Sequence, residues 1–274
     1  MTSDGLYSQI LRKGSMLCVG LDTDPVKLPE CIIQGRSIPE AVLEFNKRIV
    51  DATQHYCVAY KPNLAFYESL GVEGLRILDK TVEYIRTNYP EQFLIADAKR
   101  GDIGNTARMY ARTFFETFDF DAVTLSPYMG SETVTPFLEY PGKYAIVVAL
   151  SSNPSSADFQ LATKDGKPLY QVVIERCMGI SNPDNMMFVV GATKADKLKE
   201  IRSFCPDNFF LVPGVGAQGG SAEEVISNGS NARGGLLINS SRGILYASSG
   251  PDFAEAAASV ARNTAQYALS QPGK

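Results

Sequence analysis

The stretch FLIADAKRGDIGNTA, residues 93–107, places an apolar run, a group of opposite charges and a helix start in direct succession. The run FLIADAK is as long as a strand and mostly apolar, which is typical of a parallel strand buried on both faces. The apolar spacing that follows predicts a helix over residues 103–118. A strand followed by a helix is the repeating unit of α/β folds.

Seven more apolar runs of this kind recur along the chain, and helical patterns fill most of the gaps between them. Eight strands that alternate with helices over about 250 residues predict a (β/α)8 TIM barrel, with residues 1–274 forming a single domain. An open doubly wound sheet is the alternative, but regularly spaced units without a linker favour closure. The eight runs are MLCVGLD (16–22), CVAYKPN (57–63), FLIADAK (93–99), DAVTLS (121–126), YAIVVALS (144–151), MMFVVGA (186–192), FFLVPG (209–214) and GLLINS (235–240).

Local signals mark individual helices and loops. Ser37 and Glu40 have the spacing of a capping box that begins a helix. The polar segment 153–168 follows the fifth strand and lacks periodicity, so we expect a long mobile loop there, of the kind that often forms a lid. A second apolar helical stripe is predicted from Leu75, Leu78, Val82 and Ile85.

The composition of the chain argues against several classes of function. The chain is 45% hydrophobic and 20% charged, and its net charge of −4 argues against a broad nucleic-acid-binding surface. No apolar run approaches the ~20 residues that span a bilayer, and the N-terminus does not resemble a signal peptide, so no membrane partner is expected. Five cysteines without a CxxC spacing indicate reduced thiols and a cytoplasmic location. The single histidine, His55, argues against a Ser-His-Asp triad or a histidine-rich zinc site.

Polar residues collect where the predicted strands end. In a (β/α)8 barrel the carboxyl ends of the strands form one mouth, at which active sites lie. We therefore expect these side chains to converge there. They are Asp22 after the first strand, Lys61 on the second, Asp97 and Lys99 on the third, Ser151 and Ser152 after the fifth, and Arg242 after the eighth.

The charges of the third strand form the most specific part of this group. Asp97 and Lys99 are two residues apart, so a regular strand directs both side chains to the same side, and Lys61 could reach Asp97. The structural alternative is a set of ion pairs that closes the end of the barrel. Asp102 taken alone is typical of a helix N-cap, and Thr106 is a polar residue one helical turn further on.

A candidate phosphate site follows the last two predicted strands. VPGVGAQGG (212–220) has glycines that let backbone N–H groups approach an anion, and NSSRGI (239–244) contributes Arg242. These two loops commonly bind phosphate in such barrels, and the guanidinium group of arginine suits phosphate oxygens.

These motifs resemble the orotidine 5′-phosphate decarboxylase family over essentially the whole chain. DAKRGDIGNTA (97–107) fits the family pattern D-x-K-x-x-D-I-x-x-T, and the supporting motifs CVGLD, YKPN, SSNPSS, GVGAQGG and SSRG all occur along the chain in the expected order. The long 153–168 segment and the form of the DAKRGD motif are similar to the bacterial branch called type 2.

The resemblance implies a function and a role for each matching residue. The implied reaction converts orotidine 5′-phosphate to uridine 5′-phosphate without a metal or an organic cofactor, with Lys99 as proton donor. Lys61, Asp97 and Asp102 complete a charged tetrad, in which Asp102 comes from the partner subunit of a homodimer. The implied substrate contacts are Asp22, Lys61 and the partner's Thr106 at the ribose, Ser152 rather than Ser151 at the pyrimidine, and Gln218, Gly219, Ser241 and Arg242 at the phosphate.

Other functions remain open at this point. Related metal-dependent sugar-phosphate enzymes carry an acidic residue on the second strand, where this chain has Lys61. A class I aldolase could use Lys99 or Lys61 as a Schiff-base lysine, although flanking aspartates favour a protonated amine. A non-catalytic barrel that only binds a phosphorylated ligand is the third possibility.

Overall fold

Eight parallel strands close into a barrel in the computed structural model of this protein, which describes residues 1–215 and 221–269. Each strand pairs with its neighbours in chain order, and the last of the eight pairs with the first. The predicted (β/α)8 architecture is therefore confirmed. The barrel strands are β1 (Leu17–Gly20), β2 (Ala59–Lys61), β3 (Phe93–Arg100), β4 (Ala122–Leu125), β5 (Tyr144–Leu150), β8 (Met186–Val190), β9 (Phe210–Pro213) and β10 (Leu236–Ser240), and β6 (Thr163–Lys164) and β7 (Lys167–Pro168) form a separate hairpin.

Helices connect the strands on the outside of the barrel, and α1 precedes the first strand. Short 3₁₀ turns occupy Pro25–Lys27, Ser131–Thr133, Pro154–Asp158 and Ala192–Lys194, and a π-helical turn at Thr113–Thr117 follows α6. The α-helices are α1 (Ser3–Lys13), α2 (Glu30–Ile33), α3 (Ile38–Thr53), α4 (Leu64–Glu68), α5 (Gly71–Asn88), α6 (Gly104–Arg112), α7 (Thr135–Leu138), α8 (Leu169–Met178), α9 (Ala195–Phe204), α10 (Ala222–Gly229), α11 (Arg242–Leu245) and α12 (Phe253–Leu269). In the described ranges, none of them combines the length and the apolarity needed to cross a bilayer.

Helix α3 begins as its sequence predicts, whereas α5 differs in one residue. The Glu40 carboxylate accepts a hydrogen bond from the Ser37 N–H at 2.9 Å, which closes the capping box at the start of α3. On α5 the prediction for Leu75 is wrong, since this side chain is 40% exposed. A Cβ atom at Gly74 would lie 1.8 Å from the carbonyl oxygen of Tyr67. This close approach makes Gly74 the buried residue of that turn and directs Leu75 outward.

The segment 153–168 contains more secondary structure than the mobile loop that we expected. After its 3₁₀ turn, the hairpin β6–β7 reverses at Asp165 and Gly166, which have φ angles of 52° and 79°. Asp-Gly is a strongly preferred pair for a two-residue turn with positive φ at both positions. The side chain of Gln160 anchors the segment to the barrel, because its Oε1 accepts the Ser151 N–H at 2.7 Å.

At the end of the barrel opposite the mouth, the side chain of Arg202 connects several loops by hydrogen bonds. Its guanidinium stacks on Phe210 at 3.8 Å, and burial lowers the pKa of Arg202 to about 10. The group therefore remains charged at neutral pH, and its hydrogen bonds within the described residues go to backbone carbonyl oxygens. It donates to the carbonyl oxygens of Cys205, Pro206, Asn208, Gly229 and Gly235 at 2.8 to 3.0 Å.

Replacing Arg202 should destabilise the barrel. Arg202→Met removes the guanidinium donor from all five carbonyl groups, of which Pro206 and Gly235 keep one other donor each, so we expect the free energy of unfolding to fall by about 3 kcal/mol. Urea denaturation measures this change, with Arg76→Met as the control because Arg76 lies on the surface of α5. Equal stability of the two variants would contradict the structural role of Arg202.

Candidate active site

The polar residues predicted from the strand ends lie at the same end of the barrel. Lys61 is the last residue of β2, Asp97 lies within β3, and Asp22 follows β1 by two residues. Ser152 follows β5, and Arg242 begins α11 directly after β10. Because all eight barrel strands are parallel, their carboxyl ends form one mouth. The fold therefore brings these groups to a single face.

The carboxylate of Asp97 lies between two ammonium groups. Its Oδ2 accepts a hydrogen bond from Lys61 Nζ at 2.9 Å, and its Oδ1 accepts one from Lys99 Nζ at 2.5 Å. Lys61 Nζ also lies 3.9 Å from Asp22 Oδ1. The side chains of Lys61 and Asp97 are only 4% and 11% exposed, whereas that of Lys99 is 55% exposed. The cluster thus consists of a buried ion pair, Lys61 and Asp97, and one ammonium group, that of Lys99, which is exposed at the mouth.

These contacts shift the pKa values of the two buried groups. Burial alone would raise the pKa of Asp97, but the charges of Lys61 and Lys99 outweigh it and hold that pKa well below its ordinary value. Burial alone would lower the pKa of Lys61, but the carboxylates of Asp97 and Asp22 hold it above its ordinary value. Both groups are therefore charged at neutral pH.

Strand β3 is irregular at this cluster. Between Ala96 and Arg100 it advances four residues, while its partner β4 advances two, from Val123 to Leu125. Lys99 lies in this bulge with φ 48°, a left-handed conformation that costs about 1 to 2 kcal/mol for a residue with a Cβ atom. The expected contact between Lys99 and Asp97 is present, but a bulge and not regular alternation along the strand produces it.

Thr124 on β4 supports the bulge, and our reading of the sequence gave it no role. Its hydroxyl accepts the Lys99 N–H at 3.0 Å and donates to Asp97 Oδ1 at 3.0 Å. One side chain therefore fixes both the backbone of Lys99 and the carboxylate that holds its ammonium group. The available signal was a polar residue in the otherwise apolar run AVTL of a buried strand.

The first and last strands bring Asp22 close to the candidate phosphate turn. The hydroxyl of Tyr246 accepts the Asp24 N–H at 2.8 Å and donates to the Asp22 carbonyl oxygen at 3.2 Å. A Cβ atom at Gly20 would lie 1.8 Å from Ser241 Oγ, so only glycine allows this turn to rest on β1. Sequence reasoning did not identify Tyr246, which follows Arg242 by one helical turn.

The two serines after β5 make different contacts. The Ser151 hydroxyl donates to Asn153 Oδ1 at 2.6 Å and accepts from Gln160 Nε2 at 2.8 Å, so it anchors the following loop. The backbone of Ser152 lies against the end of β8, where its carbonyl oxygen accepts from Thr193 Oγ1 at 3.1 Å. The role of Ser152 as the residue that contacts a ligand stays a prediction.

Asp102 does not cap the helix that follows it. Helix α6 begins at Gly104 with Ile103 as its N-cap, and Asp102 Oδ1 accepts only the adjacent Ile103 N–H at 2.8 Å among the hydrogen bonds of the described chain. The N-cap interpretation is therefore wrong. The bulge extends β3 as far as Arg100, so α6 begins only at Gly104, two residues after Asp102. Thr106 lies exposed on the first turn of α6.

The predicted phosphate site is only partly covered by the residues that the structure describes. Gln218 and Gly219 fall in residues 216–220, outside the described residues. Arg242 is exposed at the start of α11, and Ser241 is partly buried beside it.

The charge pairing predicts a pH-dependent effect of Asp97→Asn on stability. At pH 7 the substitution leaves the buried Lys61 without its closest carboxylate and should cost about 3 kcal/mol. The pKa of Asp97 is lower in the folded protein than in the unfolded chain. Its stabilising contribution is therefore complete above about pH 4 and is lost as the pH falls further.

The difference in the free energy of unfolding between the wild type and Asp97→Asn should therefore decrease below about pH 4. Urea unfolding from pH 7 to pH 3 measures it, and Glu73→Gln, which breaks an exposed ion pair with Arg76, serves as control. A difference that does not depend on pH would contradict the ion pairing.

Comparison with known proteins agrees with this geometry. The chain matches the family described as "Orotidine 5'-phosphate decarboxylase / HUMPS family" over residues 15–258. An orotidine 5′-phosphate decarboxylase of Bacteroides fragilis is 53% identical over 273 residues, which cover 99% of this chain and 98% of that protein.

Solved structures show the same similarity. The OMP decarboxylase of Leishmania donovani matches with a TM-score of 0.82 and 35% identity, covering 98% of this chain and 100% of that one. The UMP synthase of Leishmania donovani matches with a TM-score of 0.84 and 36% identity over 98% of this chain, which spans 57% of the synthase. The chain belongs to the orotidine 5′-phosphate decarboxylase / HUMPS family.

Proposed function

We propose that this protein decarboxylates orotidine 5′-phosphate to uridine 5′-phosphate, the last step of de novo UMP synthesis. The observation that carries the proposal is the carboxylate of Asp97 held between the ammonium groups of Lys61 and Lys99. Relatives that are 53% and 55% identical and cover nearly the whole chain are orotidine 5′-phosphate decarboxylases. Lys61 on β2 supports this activity over related metal-dependent sugar-phosphate chemistry, which would place an acidic residue there.

The chemistry uses Lys99 as both electrostatic stabiliser and acid. When the bond from C6 of the pyrimidine to its carboxylate breaks, CO₂ leaves and the electron pair remains on C6. The Lys99 ammonium stabilises this developing charge and then transfers a proton to C6, which forms uridine 5′-phosphate. Water restores the proton to Lys99. No metal ion or organic cofactor takes part in these steps.

The other charges of the tetrad hold this acid in place. Asp97 fixes Lys99 Nζ and lies where the substrate carboxylate would approach, so its negative charge favours departure of that group as neutral CO₂. Lys61 keeps Asp97 ionised, and the raised pKa of Lys61 opposes its use as the free amine of a Schiff-base aldolase. Asp102 completes the tetrad from the partner subunit.

Substrate binding is divided among three parts of the mouth. Asp22 and Lys61 hold ribose hydroxyls, which agrees with a buried Asp22 Oδ1 that accepts no hydrogen bond within the described chain. Ser152 contacts the pyrimidine. The phosphate is held by Ser241 and Arg242, together with Gln218 and Gly219 of the glycine-rich loop.

A homodimer completes each site in this proposal, with Asp102 and Thr106 entering the mouth of the partner. Exposed apolar side chains near α6 support such an interface, because Tyr128 is 83% exposed and Met129 is 55% exposed in the loop after β4. The five cysteines are unpaired, which fits a cytoplasmic enzyme. Residues 1–274 act as one barrel domain.

Direct turnover tests the function. The protein should convert orotidine 5′-phosphate to uridine 5′-phosphate in the presence of a chelator, followed by the loss of substrate absorbance and by product analysis. Failure to form product, or turnover that requires a divalent metal ion, would refute the proposal. Borohydride trapping of a keto-sugar phosphate on the protein would instead support the aldolase.

Lys99→Ala should abolish decarboxylation while uridine 5′-phosphate still binds. The ammonium acts mainly on charge that develops in the transition state, so kcat should fall by about 10³-fold or more. Steady-state kinetics and calorimetric titration with the product measure both effects. Lys197→Ala, which removes an exposed ion pair on α9, is the control. Turnover near that of wild type would remove Lys99 from the role of acid.

Mixing two inactive variants should restore activity if Asp102 acts across the interface. In a hybrid dimer of Asp102→Ala and Lys99→Ala subunits, one site contains both substitutions and the other contains neither. Each variant alone should be nearly inactive, and activity should return after subunit exchange. No recovery despite demonstrated exchange would place Asp102 outside the partner's site.

A further inference from the structure

Arg100 is the charged residue of the DAKRGD motif that the proposed chemistry does not use. We propose that Arg100 is a positioning residue, which holds the backbone of Lys99 in its left-handed conformation and so keeps the Lys99 ammonium group on Asp97. The inference deepens the proposed decarboxylase function and rests on it. It follows from the contacts that Arg100 makes on both sides of the bulge.

The first contact acts on the peptide group that joins Ala98 to Lys99. Arg100 Nη1 donates to the carbonyl oxygen of Ala98 at 3.0 Å, and the N–H of Lys99 in the same peptide donates to Thr124 Oγ1 at 3.0 Å. Side chains therefore bind both polar groups of this peptide. Because they lie on opposite edges of the peptide plane, the two bonds together restrict its rotation. That rotation determines the φ angle of Lys99.

The guanidinium group of Arg100 is itself held from two directions. It pairs with the carboxylate of Glu68, the last residue of α4, and lies 5.3 Å from the ring centre of Tyr110 and 5.7 Å from that of Phe114. Helix α4 directly follows β2, which ends in Lys61. Arg100 therefore connects the segment that carries Lys61 to the bulge that carries Lys99.

The backbone of the same two segments is joined at Asp97. The Asp97 N–H donates to the carbonyl oxygen of Pro62 at 3.0 Å, and pairing between β3 and β4 resumes where the Ser126 N–H donates to the Arg100 carbonyl oxygen at 2.7 Å. The strand is thus fixed before and after the bulge. The two residues between, Ala98 and Lys99, are oriented by the side chains of Arg100 and Thr124.

Replacing an arginine that forms only a structural ion pair should lower stability without changing kcat. Arg86 provides this comparison. Its side chain is 21% exposed, against 25% for Arg100, and it also binds a carboxylate and backbone carbonyls. Arg86 Nη2 donates to Asp121 Oδ2 at 2.8 Å and to the Asp119 carbonyl oxygen at 2.6 Å. These partners precede β4, at the opposite end of the barrel from the mouth. Arg86→Met therefore reproduces the loss of a partly buried arginine without changing a contact of the bulge.

The test compares kcat, KM for orotidine 5′-phosphate, Tm and uridine 5′-phosphate affinity in Arg100→Met and Arg86→Met. Arg100→Met should lower kcat by about 10- to 100-fold, since misplacing a group by roughly 1 Å can cost about 10²-fold. KM and product affinity should change less than about threefold, because Lys99 acts on charge that develops after binding. Arg86→Met should lower Tm with kcat unchanged.

Two milder variants keep the test decisive if Arg100→Met does not fold. Arg100→Lys retains the charge but not the planar fork, and Glu68→Gln retains the shape of the carboxylate but not its charge. Both should lower kcat less than Arg100→Met, and Arg100→Lys should recover part of the activity. A kcat equal to that of wild type in both, or losses confined to KM or Tm, would overturn the inference. Absence of turnover in the wild-type protein would instead refute the proposed function.

Discussion

The carboxylate of Asp97, bound on one side by Lys61 and on the other by Lys99, is the contact on which the candidate site depends. A buried carboxylate is unfavourable unless opposite charges and hydrogen bonds compensate for the lost water. Here two ammonium groups and the Thr124 hydroxyl provide that compensation. Because the lysine charges stabilise the ionised form of Asp97 and the Asp97 charge stabilises the protonated form of Lys61, these two buried groups are charged at neutral pH.

The barrel places this cluster by combining regular and irregular backbone. Regular parallel pairing brings the ends of β1, β2 and β3 together, which puts Asp22, Lys61 and Asp97 on one face. The bulge in β3 then directs Lys99 back onto Asp97 at the expense of a left-handed φ angle. Strain of this kind persists only where surrounding contacts determine the conformation, and it is found preferentially at functional sites. The contacts of Thr124 and Arg100 fulfil that condition at Lys99.

Much of this organisation could be predicted from the sequence, for physical reasons that also define the limit. Continuous apolar runs are required by strands buried on both faces, so the barrel and the ends of its strands were predictable. The proximity of Lys61 and Asp97 followed from adjacent strands. Side-chain alternation cannot reveal a bulge, however, and the helix start after Asp102 was consequently predicted too early. The hairpin at 163–168 had a recognisable Asp-Gly signal that periodicity alone does not detect.

The contacts of Thr124 and Tyr246 were not predictable in the same way, because each joins segments that are distant in sequence. Thr124 is one polar residue in a buried run, and only the register of β3 against β4 places its hydroxyl between Lys99 and Asp97. Tyr246 connects α11 to the loop after β1, across more than two hundred residues of chain. Such contacts depend on the closed barrel and not on local sequence preference.

The ionisation of Asp97 is the most direct measure of whether the two lysines hold it as described. Carbon-13 NMR of protein labelled at the aspartate carboxyl groups, with Asp97→Asn used to assign the signal, follows this ionisation as the pH is lowered. The structure predicts that the Asp97 signal remains that of a carboxylate through the range near pH 4 in which ordinary aspartates titrate. A signal that titrates in that ordinary range would contradict the paired arrangement of Lys61, Asp97 and Lys99.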